Sequence, residues 1–332
     1  MKNKAIKQEL LFLIILGLIW RPLFFNDTYA GETKNITLLY TGSTHAMIYP
    51  CRCPIEPDGG VARRATLFKR LKKSYPSALI LDTGNFVAGG PEDEYAQAPV
   101  LDAYRTLTNI RAMEIMGYDA AAVGDDEFNL GLDFFRQNIA NAKFNLLSAN
   151  LQEKNISPYM IAEVSGVKIG VIGLTNIVAA KKIAELKINN PKDSLVSAID
   201  ETRRKGAAII VVLSNMGESE DVKLLSEVSG IDILIVGNAH LSANPFSQMG
   251  KTIVLRTGWK GRQVGKITFQ WQDNRISHFK VEELRVYPQL KDDAEVLKIL
   301  PRCFDNSYCK KEGFAGICEN PGTMQSQCVF RE

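Results

Sequence analysis

Five short apolar runs in this chain each break off into a polar loop, and helical segments lie between most of them. The runs are residues 35–40, 78–81, 120–123, 208–213 and 231–236. The loops that follow are Gly42-Ser43-Thr44-His45, Asp82-Thr83-Gly84-Asn85, Gly124-Asp125-Asp126-Glu127-Phe128, Ser214-Asn215-Met216-Gly217 and Gly237-Asn238-Ala239-His240. A run such as Ala208-Ile209-Ile210-Val211-Val212-Leu213 shows no polar alternation, so it suits a strand covered on both faces. Strands of that kind confine the chain to layered α/β folds, where loops after strand C-termini gather the functional residues.

The rest of the periodicity agrees. Helices are expected over residues 60–75, 100–116, 134–142, 194–205, 221–228 and 293–300, with Asp193 as the N-cap of the fourth. On the first of these helices, Arg63 and Arg64 are expected on a solvated or salt-bridged face. Further strands are expected at 145–149, and at 160–164 and 167–174 as a hairpin about Ser165-Gly166. From Lys251 onward the texture becomes strand-rich, with strands at 252–256, 264–271 and 276–286 and a turn at Asp273-Asn274. Two packed sheets flanked by helices follow from this alternation. The acidic run Glu92-Asp93-Glu94 has no histidine partner and is expected to be an exposed loop.

The ends carry their own signals. Lys2, Lys4 and Lys7 precede an apolar stretch at 10–20, and Thr28-Tyr29-Ala30 offers small residues at a cleavage site. Residues 1–30 are therefore expected to be a signal peptide, with a periplasmic or secreted mature chain and no stable membrane span after cleavage. An uncleaved signal anchor is the alternative. Domain-wise, residues 31–290 form the main body and 291–332 a helix plus a cysteine-rich tail. The 40 basic and 37 acidic residues leave a net charge of only +3, which predicts neither nucleic-acid binding nor an acidic polymer substrate. Export makes the even count of six cysteines read as disulfides. Cys303, Cys309, Cys318 and Cys328 are expected to form a two-disulfide knot, in any of three connectivities.

The five loops, in this order, resemble the calcineurin-like metallophosphoesterases, on the 5′-nucleotidase branch. Gly59-Gly60-Val61-Ala62-Arg63, Met116-Gly117-Tyr118-Asp119, Leu147-Ser148-Ala149-Asn150, Gly170-Val171-Ile172-Gly173-Leu174-Thr175 and Arg256-Thr257-Gly258 extend the likeness over residues 36–269. The resemblance implies a four-layer α/β/β/α metallophosphoesterase sandwich. The branch's C-terminal substrate-binding domain is expected to be missing after Val286.

The resemblance also implies a ligand set, and this chain departs from it. The family uses two divalent metals sharing a bridging aspartate, which clamp the oxygens of an in-line displacement. Here His45 and His240 keep two ligand positions of the first metal. Ser43 stands at an aspartate position and Asn85 at the bridging aspartate. Asp125 replaces the asparagine ligand, Asp126 the proton-donating histidine, and Asn215 and Asn238 the two histidines of the second metal. The sequence therefore predicts an exported protein with a degenerate two-metal site that binds a ligand or an exported protein partner. The alternative is a metal-dependent phosphoester hydrolase with a single or rebuilt site, using His45, His240 and Asp125 or Asn85. The expected cofactor is one divalent ion (zinc, manganese or copper) or none. Cys51-Arg52-Cys53, flanked by Pro50 and Pro54, resembles a Pro-Cys-Gly-Cys segment of an exported branch of the family. Three readings stay open for it: a local, redox-linked disulfide, thiolate ligation of a soft ion with the histidines, or plain structure.

Overall fold

The computed structural model describes residues 32–51, 55, 57–93, 99–238, 244–303, 306, 309–311, 314–323 and 325–330. The leader at 1–30, Cys53 and His240 lie outside the described residues. The elements run β1 (Lys34–Thr41), α1 (Val61–Ser74), β2 (Leu79–Asp82), α2 (Pro99–Met116), β3 (Ala120–Ala122), α3 (Leu132–Asn138), β4 (Asn145–Leu147), β5 (Leu151–Gln152), β6 (Tyr159–Val164), β7 (Val167–Leu174), α4 (Ala179–Lys182), β8 (Lys187–Ile188), α5 (Pro191–Arg204), β9 (Ile209–Ser214), α6 (Glu218–Glu227), β10 (Ile233–Val236), β11 (Phe246–Met249), β12 (Thr252–Arg256), β13 (Gln263–Gln272), β14 (Arg275–Arg285) and α7 (Ala294–Leu297).

One six-stranded sheet has the order β14-β13-β1-β2-β3-β4, and a second has the order β11-β12-β10-β9-β7-β6. β1 through β4 are parallel, as are β7, β9, β10 and β12. The two sheets face each other. Leu38, Leu81 and Ala122 of the first pack with Ile169, Val211 and Ile235 of the second. The alternate residues point outward. Leu39, Ile80 and Ala121 meet Phe68 of α1 and Met113 of α2, while Val212 and Leu234 meet Leu195 and Ile199 of α5. Both faces of each central strand are thus buried, which is why those runs carry no polar alternation. The outcome is the four-layer α/β/β/α sandwich, and every parallel strand delivers its C-terminal loop to one side.

Local chemistry moves some boundaries. α5 begins before the expected residue 194 because Asn190, not Asp193, is its N-cap. The Asn190 side-chain oxygen accepts from the amides of Lys192 at 2.9 Å and Asp193 at 3.3 Å. Pro191 then fills the first helical position, where no amide hydrogen is needed. The β6–β7 hairpin turns through Ser165 and Gly166 with φ of 52° and 78°, the twist that a two-residue hairpin loop favours. The edge strand β11, the short β5–β8 pair and the single turn α4 have no counterpart among the sequence expectations.

In the tail, Cys303 pairs with Cys318 and Cys309 with Cys328. Strands at Ile317–Glu319 and Gln327–Val329 set Cys318 opposite Cys328. Among the described residues, the buried apolar side chains of this cluster are cysteines. Crosslinks there do the work that a hydrophobic core does elsewhere. The sulfurs of Cys303, Cys309 and Cys318 lie within 4.8 Å of one another, yet all belong to disulfides and none is a thiolate ligand. Among the described residues no helix is long and apolar enough to cross a membrane.

Candidate functional site

The loop after β1 is held in an uncommon backbone shape. Ser43, His45 and Ala46 have φ of 46°, 46° and 47°, a region that costs a non-glycine residue about 1–2 kcal/mol. Three backbone bonds fix it: Ser43 N–H to Gly84 O at 2.9 Å, His45 N–H to Asn85 O at 2.9 Å, and Ala46 N–H to Phe86 O at 3.1 Å. These extend the β1–β2 pairing into the loops and bury the His45 imidazole. At Gly84, with φ of 92°, an added Cβ would lie 2.8 Å from Gly124 N. Only glycine lets the loops after β2 and β3 close on each other.

A charged chain crosses this floor. His45 Nδ1 lies 2.9 Å from Asp126 Oδ2. The other oxygen, Asp126 Oδ1, accepts from Lys182 Nζ at 2.9 Å, and the same ammonium sits 2.8 Å from Asp125 Oδ2. Lys182 also donates to Asn129 Oδ1 at 2.8 Å. Asn85 closes the chain, with its Nδ2 3.5 Å from Asp125 Oδ1 and its Oδ1 accepting from Asp126 N–H at 3.1 Å. Burial pushes the Asp126 pKa up, but the bond from His45 and the charge of Lys182 outweigh it and hold the carboxyl below its ordinary value. Asp126 is therefore ionised at neutral pH and has no proton to donate. Burial likewise pulls Lys182 down, and the Asp125 and Asp126 carboxylates more than reverse it. His45 Nε2, at the far side of the ring, is buried and has no hydrogen-bond partner.

Beside this chain lies a carboxylate of the opposite kind. Glu127 is fully buried and accepts the amides of Asn85, Phe86 and Gly124 at 3.0, 2.8 and 2.6 Å. Burial dominates, and the neighbouring Asp126 charge adds to it, so its pKa rises to about 8 despite those bonds. Glu127 is a brace that ties the β2 and β3 loops together. Asp82 is similar: burial raises it to about 6, against the bonds from Thr41 and Gly84 and the charges of Arg64 and His45.

The second sheet contributes amides. Asn215 donates from Nδ2 to Thr83 O at 3.2 Å, while its buried Oδ1 has no partner. An added Cβ on Gly124 would lie 2.1 Å from Asn85 Oδ1 and 2.6 Å from Asn215 Oδ1, so both oxygens converge there. Ser43 is turned away, donating to Gly237 O at 2.7 Å, and Asn238 is half-buried beyond β10. Cys51 is disulfide-bonded, so its sulfur is not available as a thiolate ligand.

Two further sequence expectations are corrected. Arg64 is fully buried rather than on a solvated face, with Nη2 3.3 Å from Asn109 Oδ1. Arg63, by contrast, keeps the salt-bridged role expected of it: it is half-buried, donates to Pro57 O at 2.7 Å and lies 3.7 Å from Asp292 Oδ1. Asp93, expected in an exposed acidic loop, is buried and paired with Arg105. The most consequential omission is Lys182. It lies past the end of β7, another parallel strand of the second sheet. Its position behind a strand C-terminus was the available signal.

No family model matches the chain. It is 30% identical over 224 residues to the snake venom 5′-nucleotidase of Naja atra, a match covering 62% of this chain and 41% of that protein. The chain thus spans less than half the length of this curated relative. Among solved structures, the 5′-nucleotidase precursor of Thermus thermophilus superposes with a TM-score of 0.71 at 26% identity, covering 80% of this chain and 57% of that one. The calcineurin-like phosphoesterase YfkN of Bacillus subtilis has a TM-score of 0.65 at 22% identity, covering 80% of this chain and 95% of that one, and shares the fold. Homologues and structural neighbours agree: those matched are 5′-nucleotidases and calcineurin-like phosphoesterases, and the chain is similar to them in sequence and in fold.

Proposed function

We propose that the chain is an exported phosphoester hydrolase whose rebuilt cleft holds at most one divalent ion, on the His45 side. The phosphoesterases among its relatives support the reaction class. The observation that carries the reading is His45 itself. Its Nδ1 is fixed by the Asp126 carboxylate while the buried Nε2 has no protein partner. That is the carboxylate–histidine arrangement by which metal-bound imidazoles are oriented. The partnerless Asn215 oxygen and the Asn85 oxygen, both beside Gly124, add neutral donors. A two-metal centre does not fit these residues. Asn85 brings no charge to the bridging position, and the Asp125 and Asp126 charges are already matched by Lys182.

An ion held there would supply Lewis acidity toward a phosphoryl oxygen. The chain's own groups do the positioning. Asp126 keeps the imidazole in one tautomer and orientation, and Glu127 pins the loops that carry Asn85 and Asp126. Export accords with the tail disulfides, which suit an oxidising compartment.

Hydrolysis of p-nitrophenyl phosphate, its bis-ester and 5′-nucleotides with added Mn²⁺ or Zn²⁺ tests the reading. The expected result is ion-dependent turnover that His45→Ala lowers by at least about 10- to 100-fold. Silence toward every ester with every ion would sink it.

A second reading has its own observation, the Lys182 ammonium between Asp125 and Asp126. A cleft whose carboxylates are already met by a tethered cation can bind a ligand, or an exported protein partner, without turning it over. Saturable nucleotide binding by calorimetry together with no hydrolysis would select it.

A further inference from the structure

We propose that Lys182 is a built-in counter-ion that closes a latent divalent-cation site, formed by Asp125, Asp126 and Asn129. The inference rests on the reading of the cleft as a phosphoester site, and not on whether turnover occurs.

Four oxygens converge on one nitrogen. Lys182 Nζ lies 2.8 Å from Asp125 Oδ2, 2.9 Å from Asp126 Oδ1, 2.8 Å from Asn129 Oδ1 and 3.3 Å from the Asp125 carbonyl. All are hard donors from the loop after β3, and none is nitrogen or sulfur. Two carboxylates with an amide and a carbonyl oxygen are the donor types that Mg²⁺, Mn²⁺ and Ca²⁺ take. The lysine comes from elsewhere in the chain, from α4 on the far side of β7. Its three N–H groups are matched by the two carboxylates and the Asn129 oxygen, leaving none for a phosphate. Its role is therefore to neutralise and tether, in place of an ion.

The geometry fits a substitution of one cation for another. A lysine delivers one positive charge covalently, with no dependence on ion supply. While it is seated, a divalent ion would meet a like charge and lose its acidic ligands. The His45 side is a separate matter, since Asp126 reaches His45 through its other oxygen, Oδ2.

Ion stoichiometry of the full mature chain tests this, by Mn²⁺ titration calorimetry and by the electron paramagnetic resonance of bound Mn²⁺. Lys182→Ala is expected to bind one more Mn²⁺ per chain than wild type, whatever the wild-type number on the His45 side. Lys182→Gln, which keeps the side-chain length, is expected to gain the same ion and serves if the alanine variant does not fold. Adding Asp125→Asn should abolish the gain. Two ions bound to wild type, or no gain in a folded Lys182 variant, would overturn the proposal. Loss of hydrolysis alone would bear on the proposed activity and not on this one.

Discussion

Arg105 and Lys182 each sit between two carboxylates, and the two places differ in how far water reaches them. Near the start of α2, Arg105 pairs with Asp93 and with Asp102, and the three side chains are 3%, 0% and 6% exposed. In the cleft, Lys182 pairs with Asp125 and Asp126, at 25%, 15% and 4% exposed. The guanidinium is planar and engages both oxygens of Asp93. The ammonium is a point charge on a flexible stem. The first arrangement locks a loop onto a helix; the second stands at the edge of a cleft, where its cation is exchangeable. Equal formal charge therefore does not mean equal role: burial and fork geometry separate a structural cluster from a functional one.

The sharpest way to break the comparison is to remove each cation. Arg105→Ala takes the guanidinium away from two buried carboxylates and should cost roughly 3–5 kcal/mol in urea unfolding, with no rescue by divalent ions. A loss under about 1 kcal/mol would mean the cluster is not structural.

Another buried carboxylate, Asp221, pairs with no cation among the described residues. It accepts from the Ser214 hydroxyl through Oδ1, and its Oδ2 has no partner. Burial raises its pKa from the ordinary 3.8 to about 7, helped by the charges of Glu218 and Glu220. The native state thus keeps a proton that the unfolded chain releases near pH 4. The stabilisation is complete below the unfolded value and is lost as pH rises toward about 7. Asp221→Asn keeps the acceptor without the charge, so it should gain about 1–3 kcal/mol at pH 8 and show a flatter stability profile from pH 4 to 7. Parallel pH profiles for the two proteins would refute this.

The smallest effect belongs to Lys182. Lys182→Ala should cost about 1–2 kcal/mol, between the values for exposed and fully buried pairs. Added Mn²⁺ should raise the melting temperature of this variant more than that of wild type. If Arg105→Ala responded to Mn²⁺ in the same way, the two clusters would not be distinct.

The layered fold was legible because it rests on local, repeated signals. Unbroken apolar runs mean strands buried on both faces, and residues such as Leu38 with Leu39 and Val211 with Val212 do point to opposite sides. The loops that build the cleft floor were legible by their place after those strands. Arg64 and Asp93 were not. Charged residues read as surface by default, and only their packing against Asn109 and Arg105 makes burial tolerable. Asn190 was missed as a cap because its proline neighbour signals a turn as readily as a helix start.

By itself the sequence determined two packed sheets flanked by helices and the strand ends at which the polar loops gather. Those depend on periodicity and residue identity. Only the tertiary structure decided that the Asp125 and Asp126 charges are met by Lys182, 57 and 56 positions along the chain. It also chose Cys303–Cys318 and Cys309–Cys328 from three possible pairings. Both are long-range contacts, in which the partner is fixed by how layers and loops come together and not by anything local to either residue.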